Sequence, residues 1–281
     1  MAEIVTAYCA SHAPMQAVDP ESAPKDQADS FFAGLKHVRD QAERAQPQAV
    51  VMLSGEHFTS YFLDALPQLG VGLAEKYNTP SARWLRMEHS LLPGEAKLGE
   101  HIVAGLMERR FWPALSYEME PDHGFLTVYD QLDPTWQLPF VPMVLNCTTP
   151  PLMTLRDSYE FGIAMGEVLR SYDGLERVAF VGGGGLCHFV GEPRIGDIDE
   201  DFERWFLEEL GKPDCGELLD LPNDELMEAG NGTGEVRAWV ALAAAMGGAA
   251  GEVLAYEAVY EWINGMGVVL YDGDKPAASQ T

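Results

Sequence analysis

Three of the seven histidines follow short apolar segments of the chain. His12 comes after IVTAYCA (residues 4–10), His57 comes shortly after AVVML (residues 49–53), and His188 follows VAFV and a run of glycines. Apolar runs of this length are typical of buried strands, and open α/β sheets bind their ligands beyond the carboxyl ends of the strands. Because imidazoles gather in proteins either to bind a metal or to move protons, the pattern predicts one cleft with such chemistry.

Glu235 is the acid that best fits this cleft. It lies in NGTGEVRAW, where a glycine-rich turn opens a helix, and a helix dipole favours an acid in the first turn by roughly 0.3–1 kcal/mol. Helical spacing also places Glu235 on one face with Trp239 and Leu242, and a carboxylate on an apolar face needs a partner. Two histidines and one carboxylate are the donor set of non-haem Fe(II) oxygenases, but zinc with the same ligands would serve a hydrolase. The residue types leave both open.

The elements that must position these residues alternate between strand and helix. Hydrophobic periodicity predicts strands over residues 4–10, 49–53, 139–145 and 177–181, and helices over residues 26–46, 98–110, 158–172, 198–210 and 236–246. This alternation predicts a single α/β domain over residues 1–281, with a central mixed or largely parallel sheet flanked by helices. The active site is expected at the strand ends. Residues from about 272 to 281 are predicted to form a flexible tail.

The composition excludes several classes of partner. The net charge is -26, with 44 acidic against 18 basic residues, which argues against nucleic acid and anionic membranes because both need a basic face. No apolar run approaches the ~20 residues of a membrane span, and the N-terminus lacks the pattern of a signal peptide. The four cysteines form no CxxC pair. We therefore expect a cytoplasmic protein with free thiols.

Six short motifs together resemble those of the class III extradiol ring-cleavage dioxygenases. The motifs are SHAP (residues 11–14), the strand exit at His57, PDHG (121–124), LNCTTPP (145–151), GGGGLCH (182–188) and GEVRAW (234–239). Within that family they are similar to the catalytic subunit of protocatechuate 4,5-dioxygenase and to the 2,3-dihydroxyphenylpropionate dioxygenases. The resemblance extends from about residue 4 to residue 270. Each motif is weak alone, but six in the same order are specific at the level of the family.

The resemblance implies a metal site and two catalytic histidines. His12, His57 and Glu235 would hold Fe(II), and His188 and His123 would act as acid–base residues beside it. The implied reaction cleaves the aromatic ring of a catechol-type diol with O2 and gives a muconic semialdehyde-type product. His188 would take a proton from a substrate hydroxyl and His123 would assist as an acid or hydrogen-bond donor, although the division of the two roles stays open.

The four consecutive glycines, residues 182–185, then acquire an explanation. Lacking Cβ atoms, they would let the loop pass close to a bound aromatic ring while His188 reaches its hydroxyl. A phosphate cradle is disfavoured because the run matches neither GxGxxG nor the ending of a P-loop. A nucleophilic Cys187–His188 pair is also disfavoured, since adjacent residues of an extended chain point to opposite sides.

Departures from the family pattern leave the substrate open. Cys187 replaces a usual serine, Glu56 stands where the family often has aspartate, and FVGEPRIG follows His188 in a segment that differs between subfamilies. An ortho-aminophenol or a dihydroxypyridine could replace the catechol. A non-oxygenase metal-binding protein or a zinc hydrolase of the same fold is the alternative from another class. We expect a homo-oligomer, and some relatives use a separate small helical subunit, which would be a further partner.

Overall fold

The structure is a computed structural model that describes residues 1–272 of the chain. Within them the strands are β1 (Glu3–Ala10), β2 (Ala49–Gly55), β3 (Leu69–Gly72), β4 (Lys76–Asn78), β5 (Leu91–Pro93), β6 (Ala114–Ser116), β7 (Phe140–Leu145), β8 (Arg177–Gly183), β9 (Glu252–Val259) and β10 (Asn264–Tyr271). The α-helices are α1 (Pro14–Val18), α2 (Lys25–Ala45), α3 (Ser81–Trp84), α4 (Ala96–Glu108), α5 (His123–Leu132), α6 (Leu155–Ser171), α7 (Glu200–Leu210), α8 (Asn223–Glu228) and α9 (Val236–Ala245). The predicted tail lies outside the described residues apart from Asp272.

Eight of these strands form one mixed sheet in the order β6-β3-β7-β2-β8-β1-β10-β9. The four neighbours β7, β2, β8 and β1 run parallel, whereas β10 and β9 form an antiparallel hairpin beside β1. At the other end of the sheet, β3 is antiparallel to β7 and parallel to β6. The predicted α/β fold, with a mixed and largely parallel sheet flanked by helices, is confirmed.

The central strands are apolar throughout because both faces of the sheet are covered. In β2, Val50 and Met52 pack into one hydrophobic core, while Val51 and Leu53 pack into the core on the opposite face. Successive side chains of a strand point to opposite faces, so a strand covered on both sides reads as a continuous apolar run. Helices α2 and α5 lie over one face, and helices α4, α6 and α9 lie over the other.

Helix α9 is buried along its whole length and packs closely against α6. All ten of its residues are buried, which is typical of a helix surrounded by other elements. At Gly162 of α6, an added Cβ would overlap the carbonyl oxygen of Ala241 in α9. The glycine and the alanines of α9 therefore allow the two backbones to approach, and this close packing fixes the start of α9, where Glu235 lies.

Several elements are absent from the sequence-based prediction. The prediction missed the β9–β10 hairpin, the short strands β3, β4, β5 and β6, and the helices α1, α3, α5 and α8. Strands of three or four residues are too short for a periodic pattern to identify them. Among residues 1–272, no helix is both long enough and apolar enough to cross a bilayer. All four cysteines are free and buried, as expected.

Candidate active site

The carboxyl ends of β2, β8 and β1 lie side by side and place three histidines at one edge of the sheet. These strands are adjacent and parallel. His12 follows β1 by two residues, His57 follows β2 by two residues, and His188 follows β8 by five. Glu235 arrives from the opposite direction, as the last residue of the 3₁₀ helix Thr233–Glu235 that leads directly into α9. Topology therefore brings together groups that are up to 223 residues apart along the chain, from position 12 to position 235.

Three of these side chains present ligand atoms to a common point. The Nε2 atom of His57 lies 2.8 Å from Oε1 of Glu235 and 3.3 Å from Nε2 of His12. The Nε2 atom of His12 lies 3.6 Å from Oε2 of Glu235. Neighbouring ligands of an ion with bonds of about 2.1 Å are spaced by about 3 Å when they subtend a right angle. The donor set thus has the spacing that a divalent metal requires.

Asp122 orients the His57 ring toward that point. Nδ1 of His57 lies 3.0 Å from Oδ2 of Asp122, so Nδ1–H donates to this carboxylate and Nε2 faces Glu235, where it holds a proton or, in the neutral ring, a lone pair that can bind a metal. Asp122 is also the N-cap of α5, because its other oxygen accepts from the backbone N–H of Gly124 over 2.9 Å. A carboxylate behind a ligating imidazole fixes its tautomer and raises its basicity. Asp122 was not among the predicted site residues, although it stands in the PDHG motif directly before His123.

The hydrogen bonding of the site is incomplete within the protein. Nδ1 of His12 is buried and has no hydrogen-bond partner, and Nε2 of His57 directly faces a carboxylate oxygen that is itself an acceptor. Glu235 is only 1% exposed, and its Oε2 accepts a single backbone N–H, that of Gly185, over 2.5 Å. Buried acceptors facing one another need a cation between them. A metal ion meets this need.

Electrostatics in the site favour an ionised Glu235. Burial alone would raise its pKa, but the imidazoles of His12 and His57 hold that pKa well below the ordinary value. Burial lowers the pKa of His12 to about 4, so its imidazole is neutral at physiological pH. Burial would likewise lower the pKa of His57, yet Asp122 and Glu235 raise it well above the ordinary value. The two carboxylates around His57 thus attract positive charge, from a proton or a metal.

His123, the first residue of α5, lies against the same cluster. Its ring centroid is 4.2 Å from that of His57 and 5.3 Å from that of His12. His12, His57 and His123 also form a possible metal-binding group whose ligand atoms lie within 4.8 Å of one another. That spread is wider than the separations within His12, His57 and Glu235. Burial, aided by the positive charge of His57, lowers the pKa of His123 to about 3.

The imidazole of His188 lies between two glycines. A Cβ at Gly185 would come within 2.6 Å of the ring, and a Cβ at Gly232 would overlap it. Nδ1 of His188 is buried, and the ring interacts with the side chain of Asn264 and the backbone of Leu186. Burial lowers the pKa of His188 below its ordinary value, so the ring is neutral. The turn before Glu235 therefore holds both the carboxylate and one wall of the histidine pocket.

The glycine run makes room for protein groups, and not only for a bound ring as its sequence suggested. An added Cβ at Gly182 would lie 3.1 Å from the carbonyl of Ala238 in α9, and one at Gly184 would lie 2.9 Å from Glu235. Gly184 also has a φ of +157°. The run lets α9 and Glu235 come up against β8. The expectation that it faces substrate overlooked α9, because nothing in the sequence shows which helix covers this strand.

An exposed aromatic side chain lies beside the histidine cluster. Trp84, at the end of α3, is 48% exposed, and its ring centroid is 6.0 Å from that of His123. Phe58, next to His57, is 39% exposed and has a φ of +55°. Glu56, in contrast, is buried, and its Oε1 accepts the backbone N–H of Thr59 over 2.8 Å. Neither aromatic residue was identified from the sequence, which carries no signal for their place beside the histidines.

Comparisons with known proteins agree with this arrangement. The chain matches the model of a family described as the catalytic LigB subunit of aromatic ring-opening dioxygenase over residues 6–271. It is 27% identical to a 2,3-dihydroxyphenylpropionate/2,3-dihydroxicinnamic acid 1,2-dioxygenase of Dechloromonas aromatica, over 93% of this chain and 96% of the relative. It is 26% identical to an enzyme of the same name from Photorhabdus laumondii, over 94% of this chain and 96% of that protein.

A solved structure supports the fold. An uncharacterized protein of Escherichia coli K12, JW3007, matches with a TM-score of 0.63 and 16% identity, over 95% of this chain and 99% of that one. At this level of identity the likeness extends to the fold alone.

Proposed function

The chain belongs to the family of the catalytic LigB subunit of aromatic ring-opening dioxygenases, and from that membership we propose that its metal is Fe(II), held by His12, His57 and Glu235. The protein is an extradiol ring-cleaving dioxygenase that acts on a catechol-type diol and O2, as its family and the names of its relatives indicate. The family implies a metal cofactor; the identity of the ion and its ligands are the proposal.

The observation that carries this proposal is the spacing of three ligand groups, two imidazoles and one carboxylate, around one point. Separations of 2.8, 3.3 and 3.6 Å join Nε2 of His57, Nε2 of His12 and the carboxylate of Glu235. Two imidazoles and one carboxylate suit Fe(II) and leave coordination positions for other ligands. Fe(II) held by these three residues would supply a redox-active Lewis acid able to bind a diol and O2.

His188 is proposed as the base that receives a proton from a diol hydroxyl. Burial lowers the pKa of His188 and keeps its ring neutral, although hydrogen bonding to the backbone of Leu186 and the side chain of Asn264 opposes this shift. A neutral imidazole is effective as a base near pH 7. The glycine walls of its pocket hold the ring without adding a side chain that would block access.

His123 is proposed as the second acid–base residue. Its ring is close to both His12 and His57, and it lies between that cluster and the exposed Trp84. With its pKa lowered to about 3, the ring is neutral and carries one N–H, so it donates a hydrogen bond to a ligand at the cluster. This position suits a donor on the side of Trp84. Trp84 then forms an apolar wall for the ring or side chain of the substrate.

A catechol with a carboxylated side chain is the first substrate to test. The relatives from Dechloromonas aromatica and Photorhabdus laumondii are named for 2,3-dihydroxyphenylpropionate and a dihydroxycinnamic acid. An ortho-aminophenol or a dihydroxypyridine remains the alternative, since each offers two adjacent heteroatoms to the metal.

Anaerobic reconstitution tests the function. The protein is loaded with Fe(II) or with Zn(II), then mixed with air and a panel of 2,3-dihydroxyphenylpropionate, catechol, 2-aminophenol and a dihydroxypyridine. We expect a yellow ring-fission product with Fe(II) alone. Activity that zinc restores and iron does not would reject the assignment of Fe(II).

Two variants separate the roles of the residues. His188→Phe should keep the metal and lose most turnover, whereas Glu235→Gln should lose the metal. A Glu235→Gln protein that binds Fe(II) as tightly as the wild type would favour the set His12, His57 and His123 instead. Normal turnover by His188→Phe would remove His188 from the reaction.

A further inference from the structure

Several backbone groups of the loop that carries His188 are hydrogen-bonded to neighbouring elements. Gly184 N–H donates to the carbonyl of Ala10, and Leu186 N–H donates to the carbonyl of Gly265. The N–H of Gly265 donates in turn to the carbonyl of Cys187. Gly185 N–H donates to Glu235. Cys187 N–H is a further donor of this loop, on a residue that is 0% exposed. Because an unpaired buried N–H is costly, this donor needs an acceptor from another element.

Glu203 of α7 supplies that acceptor. Its Oε1 accepts Cys187 N–H over 2.6 Å, and its Oε2 accepts the hydroxyl of Tyr256 over 2.6 Å. The residue is 0% exposed. Among the described residues no lysine or arginine forms an ion pair with it. A Cβ on Gly265 would overlap the carboxylate, so the glycine of β10 makes the space into which Glu203 fits.

Burying the carboxylate of Glu203 costs desolvation free energy, so we expect it to have a specific role. Burial raises the pKa of Glu203 to about 7, and two hydrogen bonds without a cation offset only part of the desolvation penalty. A hydrophobic residue at this place in α7 would fill the core at lower cost. What the carboxylate provides and an apolar side chain lacks is a fixed acceptor for the loop one residue before His188.

We propose that Glu203 is a positioning residue for His188, acting through the backbone of Cys187. The direction of the His188 imidazole depends on the backbone that carries it, on the walls at Gly185 and Gly232, and on its interactions with the side chain of Asn264 and the backbone of Leu186. Glu203 holds one side of this backbone, and Glu235 holds the other. The proposal rests on the role of His188 in the proposed function.

A graded set of substitutions at Glu203 provides the kinetic test. Glu203→Leu removes the acceptor and should lower kcat by about 10- to 100-fold, because a misplacement of about 1 Å can cost that much, while KM for the diol and the metal content stay unchanged. Glu203→Gln keeps an amide oxygen for Cys187 N–H and should restore most of kcat. Equal kcat in all three proteins would overturn the proposal.

A spectroscopic readout distinguishes positioning from general stability. In zinc-loaded protein labelled with ¹⁵N-histidine, the His188 signal, assigned by its loss in His188→Phe, should move in Glu203→Leu and return in Glu203→Gln. Glu209→Leu is the matched control, since Glu209 is a second buried glutamate of α7 that bonds Lys212 and the backbone of Glu217. It should lower Tm without moving the His188 signal.

The remaining outcomes are also decisive. If Glu203→Leu does not fold, Tyr256→Phe takes its place: it leaves Oε2 without its donor and should shift the His188 signal by a smaller amount. An unmoved signal in that variant would contradict the proposal. Normal turnover by His188→Phe would reject the role of His188 as the base. Inactive His188→Phe together with Glu203 variants that match the wild type would reject only the positioning role of Glu203.

Discussion

The side chain of Asp122 contacts both helix α5 and the proposed metal ligand His57. One oxygen caps α5 by accepting Gly124 N–H, and the other holds Nδ1 of His57. The two functions can be separated by chemistry, because asparagine also caps helices well but does not orient an imidazole as a carboxylate does. The residue therefore allows the metal site to be weakened while the helix stays capped.

We predict that Asp122→Asn lowers metal affinity by about 10- to 100-fold, the usual effect of removing a carboxylate behind a ligating histidine. Competition titration against a chelator of known affinity measures it. Asp130→Asn, which changes a carboxyl of the same helix that accepts from Trp136, is the control and should bind metal normally. Unchanged affinity in Asp122→Asn would show that the His57 tautomer needs no such support.

Glu203 makes the free energy of unfolding fall as the pH rises, which is the reverse of the effect of a carboxyl whose pKa is lowered by folding. Its pKa is about 7 in the folded protein, against an ordinary value of 4.5 for an unfolded chain, with burial as the main cause. The folded state binds the proton of Glu203 more tightly than the unfolded state does, so this proton adds to the free energy of unfolding. The contribution is fully present below pH 4.5 and is lost as the pH rises to 7. The loss amounts to roughly 3 kcal/mol.

We therefore predict that Glu203→Gln gains stability relative to the wild type as the pH is raised from 5 to 8, since glutamine does not ionise. Urea unfolding of both proteins at several pH values measures the difference. A difference in unfolding free energy that stays constant over this range would mean that Glu203 does not titrate there.

At the scale of elements, the turn before α9 and the glycine loop after β8 form one unit around His188. Gly232 has ordinary helical angles, φ -86° and ψ -17°, so alanine is allowed by its backbone and excluded only by the imidazole beside it. A substitution at such a position tests the packing of the proposed catalytic imidazole of His188 without straining the backbone.

We predict that Gly232→Ala lowers kcat by about 10-fold or more by displacing the His188 ring, while the fold and the metal content are retained. Steady-state kinetics with metal analysis and circular dichroism check this. Gly211→Ala is the control: Gly211 has a φ of -73°, and a Cβ there would lie no closer than 3.3 Å to other atoms. Full activity in Gly232→Ala would refute the role given to this pocket.

The elements and site residues that the sequence predicted are those with long or regularly spaced patterns. The long central strands and helices were predicted because buried strands such as β2 are continuously apolar and α2 carries a clear helical period. His12 and His57 stood out because each follows such a strand. Asp122 and Glu203 could not be found in this way, because each is a single acid whose partner lies far away in sequence.

The predicted helix over residues 236–246 agrees closely with α9, Val236–Ala245, but the surroundings of Glu235 did not follow from it. The residue lies in a separate 3₁₀ turn, and its burial depends on the glycines at the end of β8. Contacts between elements that are distant along the chain decide such details, and periodicity contains no information about them.

The molecule as a whole carries a net charge of -26, which opposes the approach of an anionic substrate. The field of exposed charges extends about 30 Å at 0.01 M salt and about 8 Å at 0.15 M. A diol with a carboxylate therefore meets repulsion at low ionic strength that an uncharged diol avoids.

We predict that kcat/KM for 2,3-dihydroxyphenylpropionate rises several-fold, roughly as other charge-steered associations do, when salt is raised from 0.01 to 0.15 M. Catechol, which is neutral, is the control and should change little. If kcat/KM changed equally with salt for the two substrates, the charge of the protein would have no effect on the binding of the anionic diol.

Strand β1 lies between β8 and β10, which has a consequence for biosynthesis. His12 leaves the ribosome early, but Glu235 and the strand that closes against β1 are among the last parts to emerge. A nascent chain therefore lacks the complete set of ligands, and the metal is acquired only after translation. Truncation before β10 should therefore abolish metal loading even though the proposed ligands are all present.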